Sequence, residues 1–408
     1  MAIGDIIVGI DIGASKISLV VGEVNNFNQI EVICNTSKKS NGIQKGKIVD
    51  GNALADSIRE VVDEAEKDMN MRINSAYITM PGKHVTIIQN SVTKEAKDKY
   101  SGISSRDVSS ALIQAKDIEI PEGKQIIDII TNDFVIDNGK VVSDPVGAFS
   151  STFTVNAQIV LADKDYINTM RIIMKKADLE IDGIIPSTLA EKNLVLDESD
   201  QKDYVMLLDI GGQSTDIGIF DGGKFVYANS IPVGGENITN DISIVLGISK
   251  DEAEKLKRQY GLALKSYIDN DAEVVLNTAK DDAKKNVMSS NIVEVIEARV
   301  EQIFELVNKD IMVQGFKQNI NTVILTGQGI TNISKSDIVG KITLNIPVKY
   351  SSNKVANAMK SEYLTAFALI RYIISRPYTK IVASSIDANI DGGIFKKILE
   401  KVKDFFYS

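Results

Sequence analysis

Asp11-Ile12-Gly13-Ala14-Ser15-Lys16 and, far downstream, Asp209-Ile210-Gly211-Gly212-Gln213-Ser214-Thr215-Asp216 are two versions of one motif. Each follows an apolar run, IIVGI at 6–10 and VMLL at 205–208, and each precedes a second β-rich run. The pattern reads as a buried strand, a glycine turn and a returning strand. An aspartate at the end of such a strand holds Mg²⁺ through water, and glycines let backbone N–H groups approach a phosphate closely. Hydroxyls and Lys16 add donors and charge. One Asp-Ile-Gly is a common tight turn. Two in matching contexts, with Gly327-Gln328-Gly329 after a third apolar run at 323–326, predict facing hairpins that clamp a triphosphate.

Outward from these motifs the chain reads as α/β. Strands are expected over 6–13, 16–24, 29–37 and 73–82. A helix is expected over 54–69, with Leu54, Ile58, Val61, Val62 and Ala65 on one face. The texture changes near His84. Strand-like HVTIIQNSVTKE, a helix opened by the Ser104/Asp107 capping box, two β-rich runs around Asn138-Gly139 and a strand over 153–162 predict an α+β insert. A helix over 163–179 and a polar joint over 193–203 follow, and the opening pattern repeats from Tyr204. Residues 235–312 read as mostly helical, including 252–260 and 293–311, and TAFALIRYIIS at 365–375 as an apolar helix.

Composition narrows the function. A chain of 408 residues with 44% hydrophobic and 25% charged residues is ordinary for two or three globular domains. Cys34 and His84 are the single residues of their types, which excludes a disulfide framework and thiolate or histidine metal centres and argues against a serine–histidine triad. A net charge of −9 argues against a nucleic-acid binder. The opening MAIGDIIVGIDIG has no basic stretch before its apolar residues and does not read as an export signal. No uncharged apolar run reaches the length of a bilayer span, so a cytoplasmic protein is expected.

The motif set resembles the actin/Hsp70/sugar-kinase superfamily. Residues 9–16 match its first phosphate loop, 207–216 its second and 324–330 its adenosine loop. The resemblance implies ATP and Mg²⁺ as ligands. Gly13, Ala14, Ser15, Lys16, Gly211, Gly212, Gln213, Ser214 and Thr215 would hold phosphates, with Asp11 and Asp209 on the waters of Mg²⁺. Gly235, Gly327 and Gln328 would line the nucleoside, as would Glu254, Lys257 and Arg258, which match the superfamily's E-x-x-K-R helix.

Within the superfamily the chain resembles the FtsA family of bacterial division actins over nearly its whole length. VGIDIGASKISLVVGEV, PGKH at 81–84, DPVG at 144–147, PVGGENITNDI at 232–242 and EVIEARV at 294–300 carry the likeness. It implies an actin-like fold of two duplicated halves, with an α+β insert, 1C, replacing actin subdomain 1B. Subdomain 1A would span 1–82 with 163–195 and about 368–383, and 1C would span 83–162. Subdomain 2A would take 196–234 and 300–367, and 2B 235–299. His84 then falls at the 1A–1C junction as a turn residue.

The resemblance also implies filaments and attachment of the FtsZ ring to the membrane, with Arg299 in the site for the acidic FtsZ tail. Later division proteins would meet 1C. Two departures stand out. Gln213 replaces a usual third glycine. The place where hydrolysing relatives carry a Glu or Gln to position water falls on Ile185 or Pro186, with Glu191 more than a turn further on, so slow hydrolysis at most is expected.

The C-terminus adds a separate signal. After a linker over 384–391, GGIFKKILEKVKDFFYS places Ile394, Phe395, Ile398, Leu399, Val402, Phe405 and Phe406 on one helical face. Lys396 and Lys397 are among four lysines on the other. Residues 392–408 carry a net +2, leaving −11 on the rest. A basic amphipathic helix on an acidic body predicts binding in the interface of anionic membranes. A PilM-like pilus-assembly homologue would not require this tail. A small-molecule kinase of the same fold would need an acceptor-site base, and no sugar-binding signature is present.

Overall fold

Two five-stranded sheets carry the two glycine hairpins in the structure, a computed structural model describing residues 4–27, 29–96, 102–277, 284–351 and 360–375. In the first half, β1 (Ile6–Ile12), β2 (Lys16–Val24) and β3 (Ile30–Lys39) form an antiparallel meander. Consecutive residues Ile7 and Val8 are both buried because both faces of the sheet are covered. Helix α1 (Gly51–Met69) begins before the apolar stripe, because the Asp50 side chain accepts from the Asn52 and Ala53 N–H groups. It buries the five expected residues and ends at Asn70 in the left-handed conformation. Strand β4 (Ser75–Met80) lies parallel to β1.

The insert is a second, antiparallel sheet. Its strands are β5 (Val85–Glu95), β6 (Lys124–Ile136), β7 (Lys140–Val142) and β8 (Thr152–Asp163), ordered β5-β8-β6-β7. Helix α2 (Ser105–Ala115) packs on it and starts at the expected capping box. Ser104 Oγ accepts from the Asp107 N–H, and the Asp107 carboxylate from the Ser104 N–H. Val108, Leu112, Phe134, Phe153 and Val155 give the insert its own core. It also docks on the second half, where Gln158 exchanges two hydrogen bonds with the Phe225 backbone. His84 sits at the joint as a turn residue, 2.8 Å from the Asp163 carboxylate and stacked on Tyr166. Burial lowers its affinity for a proton.

Helix α3 (Lys164–Lys176) and strand β9 (Glu180–Pro186) return to the first half, with β9 parallel to β4. Helix α4 (Ser187–Val195) follows directly. The expected polar joint at 193–203 is therefore corrected at its start, because Leu194 and Val195 are buried in the last turn of α4. This helix is buried nearly all round, so it carries no amphipathic stripe to read.

The second half repeats the first. Its meander is β10 (Tyr204–Ile210), β11 (Thr215–Asp221) and β12 (Lys224–Ile231). Helices α5 (Gly235–Leu246) and α6 (Lys250–Gln259) come next. A hairpin, β13 (Glu273–Asn277) and β14 (Lys284–Met288), interrupts the stretch expected to be mostly helical. Helix α7 (Ser289–Val313), strand β15 (Thr322–Thr326), helix α8 (Ser336–Leu344) and strand β16 (Val348–Tyr350) complete it. The sheet orders match strand for strand: β9-β4-β1-β2-β3 and β16-β15-β10-β11-β12. In each, the meander is antiparallel and the two flanking strands are parallel.

One core joins the halves. Ile7 and Val20 of the first sheet meet Val205, Leu207 and Phe220 of the second. Between them lie α4, through Leu189 and Leu194, and α9 (Leu364–Ile374), through Phe367 and Ile370.

Candidate functional site

The two hairpins close by the same bond. The Gly13 N–H donates to the Lys16 carbonyl at 3.0 Å, and the Gly211 N–H to the Ser214 carbonyl at 2.9 Å. Asp11 and Asp209 end equivalent strands, and Asp209 stands directly across from Asp216 in the β10–β11 register. The two loops touch. A Cβ on Gly212 would lie 2.0 Å from Ser15 Oγ, so only glycine permits this approach. Gln213, the departure from the three-glycine pattern, links the loops. Its Oε1 accepts from the Lys45 N–H at 3.0 Å and its Nε2 donates to the Ala14 carbonyl at 3.4 Å.

Two more loops pack against the second hairpin. The Gly235 N–H donates to the Gly211 carbonyl at 2.9 Å, and the Gly329 N–H to the Ile210 carbonyl at 2.7 Å. Gly327 adopts φ +93°, and a Cβ there would fall 2.3 Å from Asp209 Oδ1. The adenosine-loop candidate thus stands backbone-close to the second hairpin. Thr215, buried in β11, spends its hydroxyl on the Val233 carbonyl, while Ser214 shares the loop backbone.

The charges here are poorly satisfied by the protein itself. Thr79 Oγ1 donates to Asp11 at 2.8 Å, and Gly82 N–H and Ser230 Oγ donate to Asp216. Burial, then Asp216 and Asp11, push the Asp209 carboxyl up to about 7. Burial pushes Asp216 up to about 6 and raises Asp11. Lys16 Nζ and Ser15 Oγ are buried without a hydrogen-bond partner. An orphaned ammonium and hydroxyl beside glycine-loop N–H groups fit a phosphate chain. The carboxylates fit a divalent cation beside it. Among the described residues no group of three or more acidic, histidine or cysteine side chains is arranged to grip a metal.

Other expected residues sit around this centre. Lys257 Nζ donates to the Gly235 carbonyl at 3.2 Å and pairs with Glu254 at 2.6 Å, tying α6 to the start of α5. Arg258 pairs with Glu254 from a largely exposed position. Gln328 Nε2 donates to Ser361 Oγ at 3.0 Å. Arg299, on α7, is outside the cleft and is held by Asp241 across two nitrogens. Ile185 is buried at the end of β9 beside Pro186, as apolar as expected. Glu191, set aside in the sequence as lying more than a turn too far on, is fully buried, and burial, then Asp209, holds its carboxyl well above the usual carboxylate range. Little in the sequence signals it, because in LAEKNLVL it is followed by two further polar residues, Lys192 and Asn193. The linker at 384–391 and the apolar and basic tail residues from Ile394 to Phe406 lie outside the described residues.

Comparison with known proteins agrees with this geometry. The family model for "Cell division protein FtsA" matches residues 206–368, and that for the "SHS2 domain inserted in FTSA" matches 82–161. The cell division protein FtsA of Pseudomonas aeruginosa is 28% identical over 90% of this chain and 89% of its own length. That of Bacillus subtilis is 27% identical over 90% of this chain and 83% of its own. That of Escherichia coli K12 is 25% identical over 90% of each. Among solved structures, the PilM–PilN type IV pilus biogenesis complex superposes with a TM-score of 0.56 at 16% identity, covering 91% of this chain and 98% of that one. MreB5 of Spiroplasma citri bound to ADP superposes at 0.53 and 13% identity, covering 94% and 98%. With its two matched hairpin sheets and its inserted domain, the chain belongs to the FtsA family of cell division proteins, built on the actin-like fold.

Proposed function

We propose that this protein binds ATP with Mg²⁺ between its two glycine hairpins, polymerises, and tethers the FtsZ ring to the cytoplasmic membrane through its C-terminal amphipathic helix. The observation that carries the nucleotide reading is the orphaned Lys16 Nζ buried between hairpins that each end a carboxylate-bearing strand. A solved relative in fold, MreB5, is bound to ADP, which supports the same use of the cleft. Titration of the full chain with ATP tests it. Saturable one-to-one binding that requires Mg²⁺ is expected, and no binding at millimolar ATP would sink it.

In this reading 1A takes 1–82, 163–195 and about 368–383, and 1C takes 83–162. Subdomain 2A takes 196–234 and 300–367, and 2B takes 235–299. Self-association is supported by the exposed Met312, Val313 and Ile342 at one end of the second half. Partners are the FtsZ tail, further copies of the chain, anionic lipids and, through 1C, other division proteins. The protein works on the cytoplasmic face of the membrane at the division site.

Arg299 is the proposed FtsZ contact, and the Asp241 pair sharpens its test. An acidic peptide must share or displace Asp241 to reach the guanidinium. Arg299→Glu is expected to weaken binding of an acidic FtsZ tail peptide. Asp241→Asn is expected to tighten it about two- to fivefold by freeing the arginine. Both effects should shrink with salt. Fluorescence anisotropy of a labelled peptide reads them, and an unchanged affinity in both variants at low salt would move the site elsewhere.

A further inference from the structure

Between β3 and α1 the chain makes a small hairpin, with Ile43–Gln44 paired to Lys47–Ile48. Its two turn residues, Lys45 and Gly46, both have positive φ, +47° and +68°, as a type I′ turn requires. The left-handed conformation disfavours lysine, so the surroundings hold it there. The base of the hairpin is rigid. The Gly42 carbonyl accepts from the Val49 N–H at 2.8 Å and from the Asp50 N–H at 3.1 Å, and a Cβ on Gly42 would lie 2.2 Å from the Asp50 carbonyl oxygen. Ile43 and Ile48 pack on the core under α1 and α3. The hairpin is therefore a stiff arm fixed to the first half.

Two residues grip its tip. Gln213, from the second half, accepts from the Lys45 N–H at 3.0 Å and donates to the Ala14 carbonyl at 3.4 Å. Lys83, in the turn that opens the insert, donates from Nζ to the Gly46 carbonyl, while its own N–H donates to Ser230 Oγ of the second half at 3.2 Å. The arm packs on the face of the first sheet that carries α1 and α3. The core that joins the two halves lies on the other face, with α4 and α9. With the halves joined on one face and bridged on the other, the loops cannot part without breaking the Gln213 bonds. The glycine usual at this place has no side chain to make them.

We propose that the arm is a strap across the two phosphate loops and Gln213 its catch, so that this chain exchanges nucleotide slowly in both directions. The inference rests on the reading that a nucleotide binds between the hairpins. A phosphate chain held between the loops enters and leaves only while they are apart. The catch makes the same bonds with and without a ligand, so it slows both steps and leaves the binding equilibrium nearly unchanged. Gln213 is thus a positioning residue, acting through the Lys45 and Ala14 backbone rather than on the nucleotide.

Stopped-flow mixing of the full chain with a fluorescent ATP analogue and Mg²⁺ reads both rate constants. Gln213→Ala removes both bonds without adding the backbone freedom of glycine. Its association and dissociation rate constants are expected to rise together by about tenfold, the scale of two hydrogen bonds that opening must break, with Kd within about threefold of wild type. Lys83→Met loosens the arm while keeping Gln213, and decides the matter if Gln213→Ala does not fold. Both of its rate constants are expected to rise about threefold, the scale of one such bond. Hydrogen exchange of the ligand-free chain gives a readout without nucleotide: residues 43–48 should exchange faster in Gln213→Ala, and those of α7 should not. A Kd that rises tenfold through the dissociation rate alone would make Gln213 a phosphate contact and overturn the strap. Rate constants within twofold of wild type in both variants overturn it too, and leave the nucleotide reading standing. A wild type that binds no ATP removes the nucleotide reading, and the strap's role in exchange falls with it.

Discussion

Asp209→Ala is expected to lower the affinity of the full chain for Mg²⁺·ATP by about 10- to 100-fold, the usual effect of losing a carboxylate that orders a metal's shell. Its side chain ends β10 opposite Asp216, and the Gly327 backbone comes close enough to leave no room for a Cβ. Loss of binding would therefore be trivial if the variant simply unfolded, and the electrostatics predict the opposite. Burial and two neighbouring carboxylates raise Asp209 to about 7, so its ionised form destabilises the nucleotide-free fold. The sign follows from linkage. A carboxyl raised from its ordinary 3.8 contributes stability that is complete below the unfolded value and lost as pH rises through about 7. Asp209→Asn should therefore melt at or above the wild-type temperature at pH 8 without ligand, with a smaller gap at pH 5. It should also fail to gain the melting shift that Mg²⁺·ATP gives wild type. Thermal melts at both pH values, with and without Mg²⁺·ATP, check both halves of this expectation. A full ligand shift in Asp209→Asn would remove the metal role.

The second large effect is expected at the C-terminus. Phe405→Glu should release the protein from anionic vesicles. Burying a phenylalanine contributes about 1.5–3 kcal/mol, and a glutamate on the same face loses that and meets anionic headgroups. Truncation after Ser385 should do the same while leaving ATP binding intact. Replacing Lys396 and Lys397 by alanine should weaken binding less, by about 1 kcal/mol per lysine near the surface, and mainly at low salt. The thirteen residues from Ile394 to Phe406, read from the sequence as a helix, would be too short to span a bilayer, so the proposed attachment should be reversible by dilution. Co-sedimentation with vesicles of known anionic fraction reads all three variants. A truncated chain that pellets as well as the full one would mean the tail is not the tether.

Much of the fold was legible because its signal is local. The Asp-Ile-Gly repeat placed both hairpins, and their meanders appear with matched strand order. The Ser104/Asp107 box placed the start of α2 because both of its bonds are made within one turn. The hairpin β13–β14 was missed because two five-residue strands sit inside a charged stretch flanked by long helices. The last turn of α4 was misread as a joint because burial on every side erases helical periodicity.

The site was legible in its glycines, which tight loops demand, and less so in its side chains. Gln213 read as a departure from the usual glycine among the phosphate-holding residues, and in the fold it bridges to Ala14 and Lys45 of the other half. Arg299 read as a cation suited to an acidic peptide, and in the fold Asp241 holds it from a helix far away in sequence. Glu191 was passed over on spacing alone. Its burial and the hydrogen bond it accepts from Thr365 exist only in the folded chain.

Electron microscopy of the purified full chain on a monolayer of anionic lipid, with and without Mg²⁺·ATP, bears most directly on a nucleotide-bound, membrane-tethered polymer. Filaments lying on the lipid with Mg²⁺·ATP, and absent for both Asp209→Ala and the chain truncated after Ser385, are the expected result. Dispersed particles in every condition, or filaments on lipid formed equally by the truncated chain, would contradict it.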